Sequence, residues 1–211
     1  LDIAQKLYEN YKMITYPRTD SKYLGESHIE TFTEMFKKMN FSKFSDLLKA
    51  IDYNDLNISK RFINGSKVSD HHAIIPTLNP EMKHVYNNKL SKNERLVFDE
   101  VAKRLLAQFY EPNVYSSTKV ITTVLDKYNF ETKGKITLEK GWKKIYDTNN
   151  KDKKLPNLEE GDKKEVTNSH LNKKKTRPPK HFTENKLLTK LEKYNIGTEA
   201  TRADMIEKLI Y

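Results

Sequence analysis

Cysteine is absent from the 211 residues and tryptophan occurs once. Without thiols the chain has no disulfides and no zinc site built on thiolates. No apolar run approaches the roughly 18 residues a membrane-spanning helix needs. No basic-then-apolar leader opens the chain, so a soluble, non-secreted protein is expected. Apolar residues make up only 36% and mean hydropathy is −0.84. Aromatics at 10%, with many Leu and Ile, still suffice for a modest core, which argues against wholesale disorder. Acid is in deficit: 29 acidic residues face 39 basic ones, leaving +10 and a pI near 9.4. An anionic partner is expected, and nucleic acid is the commonest such partner. The length allows one or two domains.

The charge is uneven. Residues 1–70 carry +1, residues 71–150 carry +4 and residues 151–211 carry +5. The sharpest cluster is Lys173, Lys174, Lys175, Arg177 and Lys180, which has no acid within it and runs through Pro178-Pro179. Prolines there favour an extended, solvated backbone. Contact with phosphates and a plain solvated loop are both open readings of such a run.

Apolar spacing predicts helices over 2–12, 26–38 and 44–51, with 13–17 extended and 52–69 polar and irregular. The clearest helix is 91–110. Ser91 and Glu94 have capping-box spacing, Leu96, Val97, Val101, Leu105 and Phe109 form the stripe, and Pro112 ends it. Val, Ile, Thr and Tyr then dominate 114–125, and 128–138 alternates, which predicts two strands. A polar linker is expected over 147–154 and a further short strand and turn over 155–166. Two helices, 184–194 and 199–210, close the chain around Asn195-Ile-Gly197. Helical, then β, then helical is an α+β order, not alternating βαβ. Both chain ends lie inside apolar-periodic runs, as expected of a piece of something larger.

Three blocks can carry chemistry. In Ile14-Thr-Tyr-Pro-Arg-Thr-Asp-Ser21, a tyrosine hydroxyl needs help to act as a nucleophile, because its pKa is about 10. On an extended strand Tyr16 and Arg18 project to the same side, where a guanidinium can hold a phosphate bidentately. Pro17 stiffens the pair. A Tyr-Pro turn with an exposed arginine fits the same residues. In Ser69-Asp-His-His-Ala-Ile-Ile-Pro-Thr77, adjacent histidines diverge and make a poor metal pair. One of them can bind a phosphate or shuttle a proton, or merely pack against the apolar run. In Ile196-Gly-Thr-Glu-Ala-Thr-Arg-Ala203, Gly197 permits a tight turn and Thr198 can cap a helix. Thr201 and Arg202 then fall in its first turn, where phosphates bind, although an ordinary capped hairpin has the same pattern.

Together and in this order, with Leu1-Asp-Ile-Ala-Gln-Lys-Leu-Tyr8, Glu139-Lys-Gly-Trp142 and Arg177-Pro-Pro179, the blocks are similar to those of type IA DNA topoisomerases. The topoisomerase III branch is the nearest match, over nearly the whole chain. The resemblance implies a tyrosine that attacks one DNA strand, forms a 5′-phosphotyrosine and releases a 3′-hydroxyl. A strand then passes and the 3′-hydroxyl reseals the gap, without ATP. Tyr16 matches the nucleophile, Arg18 the arginine on the scissile phosphate, and His71 the family's histidine, with His72 the weaker choice. Thr201 matches a threonine near that phosphate, and Arg202 neighbours the DNA backbone.

The family's Mg²⁺ ligands lie in a Toprim domain before the tyrosine. No Asp-x-Asp-x-Glu cluster occurs in this chain, so the metal ligands are expected outside it and the piece alone is expected to be inactive. The resemblance further implies a helical, winged-helix-like tyrosine domain over 1–111 and a β-rich arch over 112–176. Residues 177–211 would begin the return into the DNA-binding domain. A cytoplasmic, nucleoid-associated bacterial monomer acting on single-stranded DNA is expected. The rival from another class is a non-catalytic helix-turn-helix binder built on 183–210, which leaves the tyrosine and histidine blocks without a role. Rolling-circle relaxases and tyrosine recombinases fit worse, because they space or order their histidines and tyrosine differently.

Overall fold

A computed structural model describes residues 1–53, 55–68, 70–146 and 152–210. The chain divides into two compact units. One comprises Leu1–Ser116 with Thr137–Lys151, and the other Ser117–Ile136 with Asp152–Tyr211.

Among the described residues the first unit has the α-helices α1 (Asp2–Glu9), α2 (Phe32–Met39), α3 (Phe44–Leu48), α4 (Met82–Asn88) and α5 (Lys92–Leu106). Helix α1 stops three residues earlier than its apolar spacing predicts. Lys12 turns into the left-handed region at φ 52°, and the Met13 N–H donates back to the Leu7 carbonyl at 2.8 Å. That reversal launches the extended segment carrying Tyr16. The predicted 26–38 helix is a 3₁₀ segment over Glu26–Thr31 before it becomes α2. Helix α4 is not anticipated by the spacing. Its Met82, Val85 and Tyr86 are all buried, an i, i+3, i+4 set in a run of only seven residues.

Two aromatic clusters fill the core. Phe109 sits edge-on to Phe32 and Phe36, each with centroids 5.0 Å apart, and Phe62 joins them. Phe41, Phe44, Tyr86 and Phe98 form the second cluster. Edge-to-face pairing at these distances adds to the burial of the rings.

Helix α5 has the capping box anticipated at Ser91 and Glu94. Its inward face holds four of the five predicted stripe residues, with Leu105 and Phe109 buried and Val97 and Val101 packed against the core. Leu96 is 53% exposed, while Phe98, Ala102, Leu105 and Leu106 are buried. Two buried acids mark that face, and each has partners. Glu94 pairs with Lys6 of α1 at 2.6 Å and accepts the Ser91 N–H. Asp99 accepts the Tyr86 hydroxyl at 2.9 Å and the Lys43 ammonium. An apolar stripe drawn without charged residues misses the edge of the face that these two acids occupy.

From unit one the chain runs into a two-stranded antiparallel hairpin, β1 (Val114–Val124) and β2 (Tyr128–Glu139). Its turn places Leu125 and Asp126 at φ 54° and 50°, the backbone of a type I′ turn without glycine. The chain returns at Gly141, whose φ is +50°. The Trp142 N–H donates to the Glu111 carbonyl at 2.9 Å, closing the base of the excursion.

In the second unit, Lys135 and Lys153 exchange both backbone hydrogen bonds at 2.9 Å beside Gly134. A Cβ on Gly134 would stand 2.8 Å from the Lys153 carbonyl oxygen and 2.6 Å from Leu155 Cγ. Among the described residues the strand expected over 155–166 is absent. A turn at Gly161 forms there, and the rest of the run is too polar to hold a strand. The predicted linker over 147–154 falls partly outside the described residues, at 147–151. Helices α6 (Glu184–Lys193) and α7 (Glu199–Ile210) pack as a hairpin.

Gly141 tests the clasp. An added Cβ would lie 2.3 Å from the carbonyl oxygens of both Glu111 and Pro112, in a left-handed backbone. Gly141→Ala is expected to lower unfolding free energy by about 2 kcal/mol or more, read by urea denaturation.

Candidate active site

The tyrosine and histidine blocks lie along one another in the first unit. The Thr15 N–H donates to the Ile75 carbonyl at 2.9 Å, and the Thr77 N–H to the Met13 carbonyl at 3.1 Å. Ile14 and Pro76 pair antiparallel between them. Pro76 has no N–H to give, and here none is needed. Threonine side chains extend the ladder. Thr15 Oγ1 accepts the Ile75 N–H at 3.0 Å, the Thr77 hydroxyl donates to the Lys12 carbonyl, and the Thr19 hydroxyl donates to the His71 carbonyl at 3.1 Å. Farther on, the Ala73 N–H donates to the Tyr23 carbonyl at 2.9 Å.

This ladder brings Tyr16 and His71 together. Their ring centroids are 4.4 Å apart with the planes at 44°. Tyr8, from α1, meets the Tyr16 ring edge-on at 5.5 Å. Tyr16 is half-buried and its neighbour Pro17 is buried, so the ring is held on two sides while His71 faces solvent. Arg18 follows two residues on, half-buried and engaged within the fold.

His72 turns the other way. Its Nδ1 lies 2.7 Å from the Ala73 carbonyl, and its ring meets His28 at 4.4 Å. Burial pushes the His28 pKa below its ordinary value, and His72 adds to that against an opposing hydrogen bond to Gly25. Ser69, the first residue of the histidine block, lies outside the described residues.

In the second unit, Gly197 has φ +65° and Thr198 opens α7. Thr201 Oγ1 accepts the Thr198 N–H at 2.9 Å, the reaching-back half of a capping box. Arg202 donates through Nε to the Ile196 carbonyl at 3.1 Å and through Nη2 to the Gly197 carbonyl at 3.2 Å. Arg202 therefore braces the turn, with its remaining N–H groups left for other partners. Lys173, Lys174, Lys175, Arg177 and Lys180 are all exposed on irregular backbone, without ion pairs among the described residues.

Among the described residues no three His, Cys, Asp or Glu side chains converge to hold a metal. The described residues do not fit the Mg²⁺ that the resemblance implies. No described helix is long and apolar enough to cross a membrane.

The chain that holds this tyrosine–histidine pair is similar to known proteins. The DNA topoisomerase family profile covers residues 1–211. The chain belongs to that family. It is 36% identical over 235 residues to DNA topoisomerase 3 of Bacillus licheniformis and 35% identical over 236 residues to that of Bacillus subtilis. Each match covers 99% of this chain and 32% of the relative, so the chain spans about a third of their length. Full-length topoisomerase I from Thermotoga maritima shares the fold, with TM-score 0.63 and 23% identity over 99% of this chain and 33% of that one.

Two neighbours of this site, Tyr8 and His28, are not legible in the sequence. Tyr8 reads as one more member of the apolar face of α1, and only its contact with Tyr16 distinguishes it. His28 sits in a 3₁₀ segment with no motif around it, and its meeting with His72 is purely tertiary.

The depressed His28 pKa gives stability a pH dependence. The unfolded chain takes up the proton near 6.5 while the folded chain resists. Stability is therefore full above that pH and falls as pH drops toward the folded-state value. Thermal melting between about pH 7.5 and 5.5 should show this decline, and His28→Gln should flatten it.

Proposed function

We propose that this chain carries the strand-cleaving tyrosine of a type IA DNA topoisomerase of the topoisomerase III branch. The observation supporting this most directly is the packing of Tyr16 against His71 on a rigid backbone ladder. The Tyr16 oxygen attacks a phosphodiester, the phosphorus–O3′ bond breaks, and the tyrosine proton passes to the leaving 3′-oxygen. The products are a 5′-phosphotyrosine and a free 3′-hydroxyl. Bond energy is kept, so resealing is the reverse displacement and needs no ATP.

Arg18 holds the scissile phosphate and offsets its growing charge, and His71 hydrogen-bonds the same group. Thr201 and Arg202 serve the DNA backbone from their own unit, and the 173–180 cluster adds cations for further phosphates. Residues 1–111 form the tyrosine domain, 112–176 an arch segment and 177–211 the start of the DNA-binding domain. The intact enzyme works as a monomer on single-stranded DNA of the bacterial nucleoid, with Mg²⁺ bound by residues outside this chain. These 211 residues alone bind DNA without relaxing it.

Trapping a covalent adduct on single-stranded DNA in the intact enzyme tests the reading. Tyr16→Phe should abolish the adduct and leave binding intact. Arg18→Ala should slow its formation about 100-fold, the size of removing one charged partner of the transition state. Reversible binding with no adduct from the unaltered enzyme would favour the helix-turn-helix reading. Relaxation by the 211-residue chain alone would overturn its predicted inactivity.

A further inference from the structure

Beside the tyrosine block the first unit carries two adjoining cavities, of about 410 and 400 Å³. Both are lined by Arg61, Phe62, Arg104 and Gln108, so they form one trough. Each is of the size that holds a small ligand. The trough starts at Thr19 and Ser21, inside the tyrosine block, and ends at Trp142. Thr19 is three residues from Tyr16, about 10 Å along an extended chain.

The chemistry of the lining is one-sided. Its charged residues are Lys22, Arg61 and Arg104, and neither cavity has an acid in its wall. Among the described residues, none of these three cations has an ion pair or a side-chain hydrogen bond. Elsewhere in this unit basic side chains do find acids, as Lys6 finds Glu94 and Lys43 finds Asp99. Arg104 is one turn before Gln108 on the same helical run, and Arg61 approaches both from the irregular segment after α3. At the far end Trp142 is half-buried, with its ring edge-on to Tyr146 at 6.0 Å. Unpaired cations beside a fixed aromatic face suit a single strand, whose phosphates need charge and whose bases stack without regard to sequence.

We propose that this trough binds a stretch of single-stranded nucleic acid adjoining the cleavage point, with Arg61 and Arg104 on successive phosphates and a base against Trp142. The site is separate from the Tyr16–His71 pair. It rests on the topoisomerase reading only for the identity of the strand.

Trp142 is the sole tryptophan of the chain and so reports the site directly. The test titrates the 211-residue chain with a fluorescein-labelled oligothymidylate, reading Trp142 emission and anisotropy together. Saturation should quench Trp142. The double variant Arg61→Gln/Arg104→Gln should bind roughly tenfold more weakly and show a salt slope shallower by about 1.4, because two phosphates of the single strand are no longer neutralised. Both arginines are exposed, so the variant should retain the parent's circular dichroism. Full anisotropy change with unaltered Trp142 emission, or an unchanged salt slope in the double variant, would overturn the proposal. Covalent trapping through Tyr16 is scored separately. An adduct with an unchanged slope sinks the trough alone, and a shallower slope without an adduct sinks the topoisomerase mechanism alone.

Discussion

The meeting of Tyr16 and His71 depends on backbone hydrogen bonds between residues 13–15 and 75–77. Alone, Tyr16 is a phenol on an extended segment and His71 an imidazole on an exposed one. The pairing sets their separation, and the threonine hydroxyls at 15, 19 and 77 fix the register. A slip of one residue along the ladder would turn Tyr16 to the opposite face. Such a site needs a stiff support, and the two aromatic clusters with the buried acids of α5 provide it.

Electrostatics divides into two kinds in this chain. Glu94 and Asp99 are buried and tied to named donors, so they serve packing and hold α1, α3 and α4 to α5. Most of the excess positive charge is exposed and lies on irregular backbone or helix surfaces. Charge committed to the fold and charge available to a polyanion are thus carried by different residues. Arg202 is intermediate, since two of its donors close the Gly197 turn.

Much of the fold is legible in the sequence because local signals agree with tertiary demands. The capping box of α5, the two strands and the closing helix pair all announce themselves in spacing and composition. The misses have physical causes. Helix α4 is too short for periodicity to stand out. The inward face of α5 includes two carboxylates, which any apolar pattern discards. The 155–166 stretch is mostly Glu, Asp, Lys and Asn, with Val166 its one β-branched residue, too polar to hold a strand. At the site, the residue types of Tyr16, Arg18 and His71 are legible as motifs. The preference for His71 over His72 comes from the resemblance, and spacing alone does not show that the His71 ring lies 4.4 Å from that of Tyr16. Tyr8 and His28 are invisible in the sequence because their importance arises only from where the chain folds.

The clasp at Gly141 has one more implication. The chain leaves the first unit after Ser116 and re-enters it at Thr137, and the base of the excursion lies within that unit. Exit and return are joined by the Trp142–Glu111 hydrogen bond and by the Asn113 amide, which donates to the Glu139 carbonyl at 2.7 Å. Topologically the excursion is a loop pinched at its neck. Residues can be inserted or deleted beyond the neck without altering the path of the chain through the tyrosine ladder. Evolution can therefore resize the arm while the tyrosine ladder stays fixed.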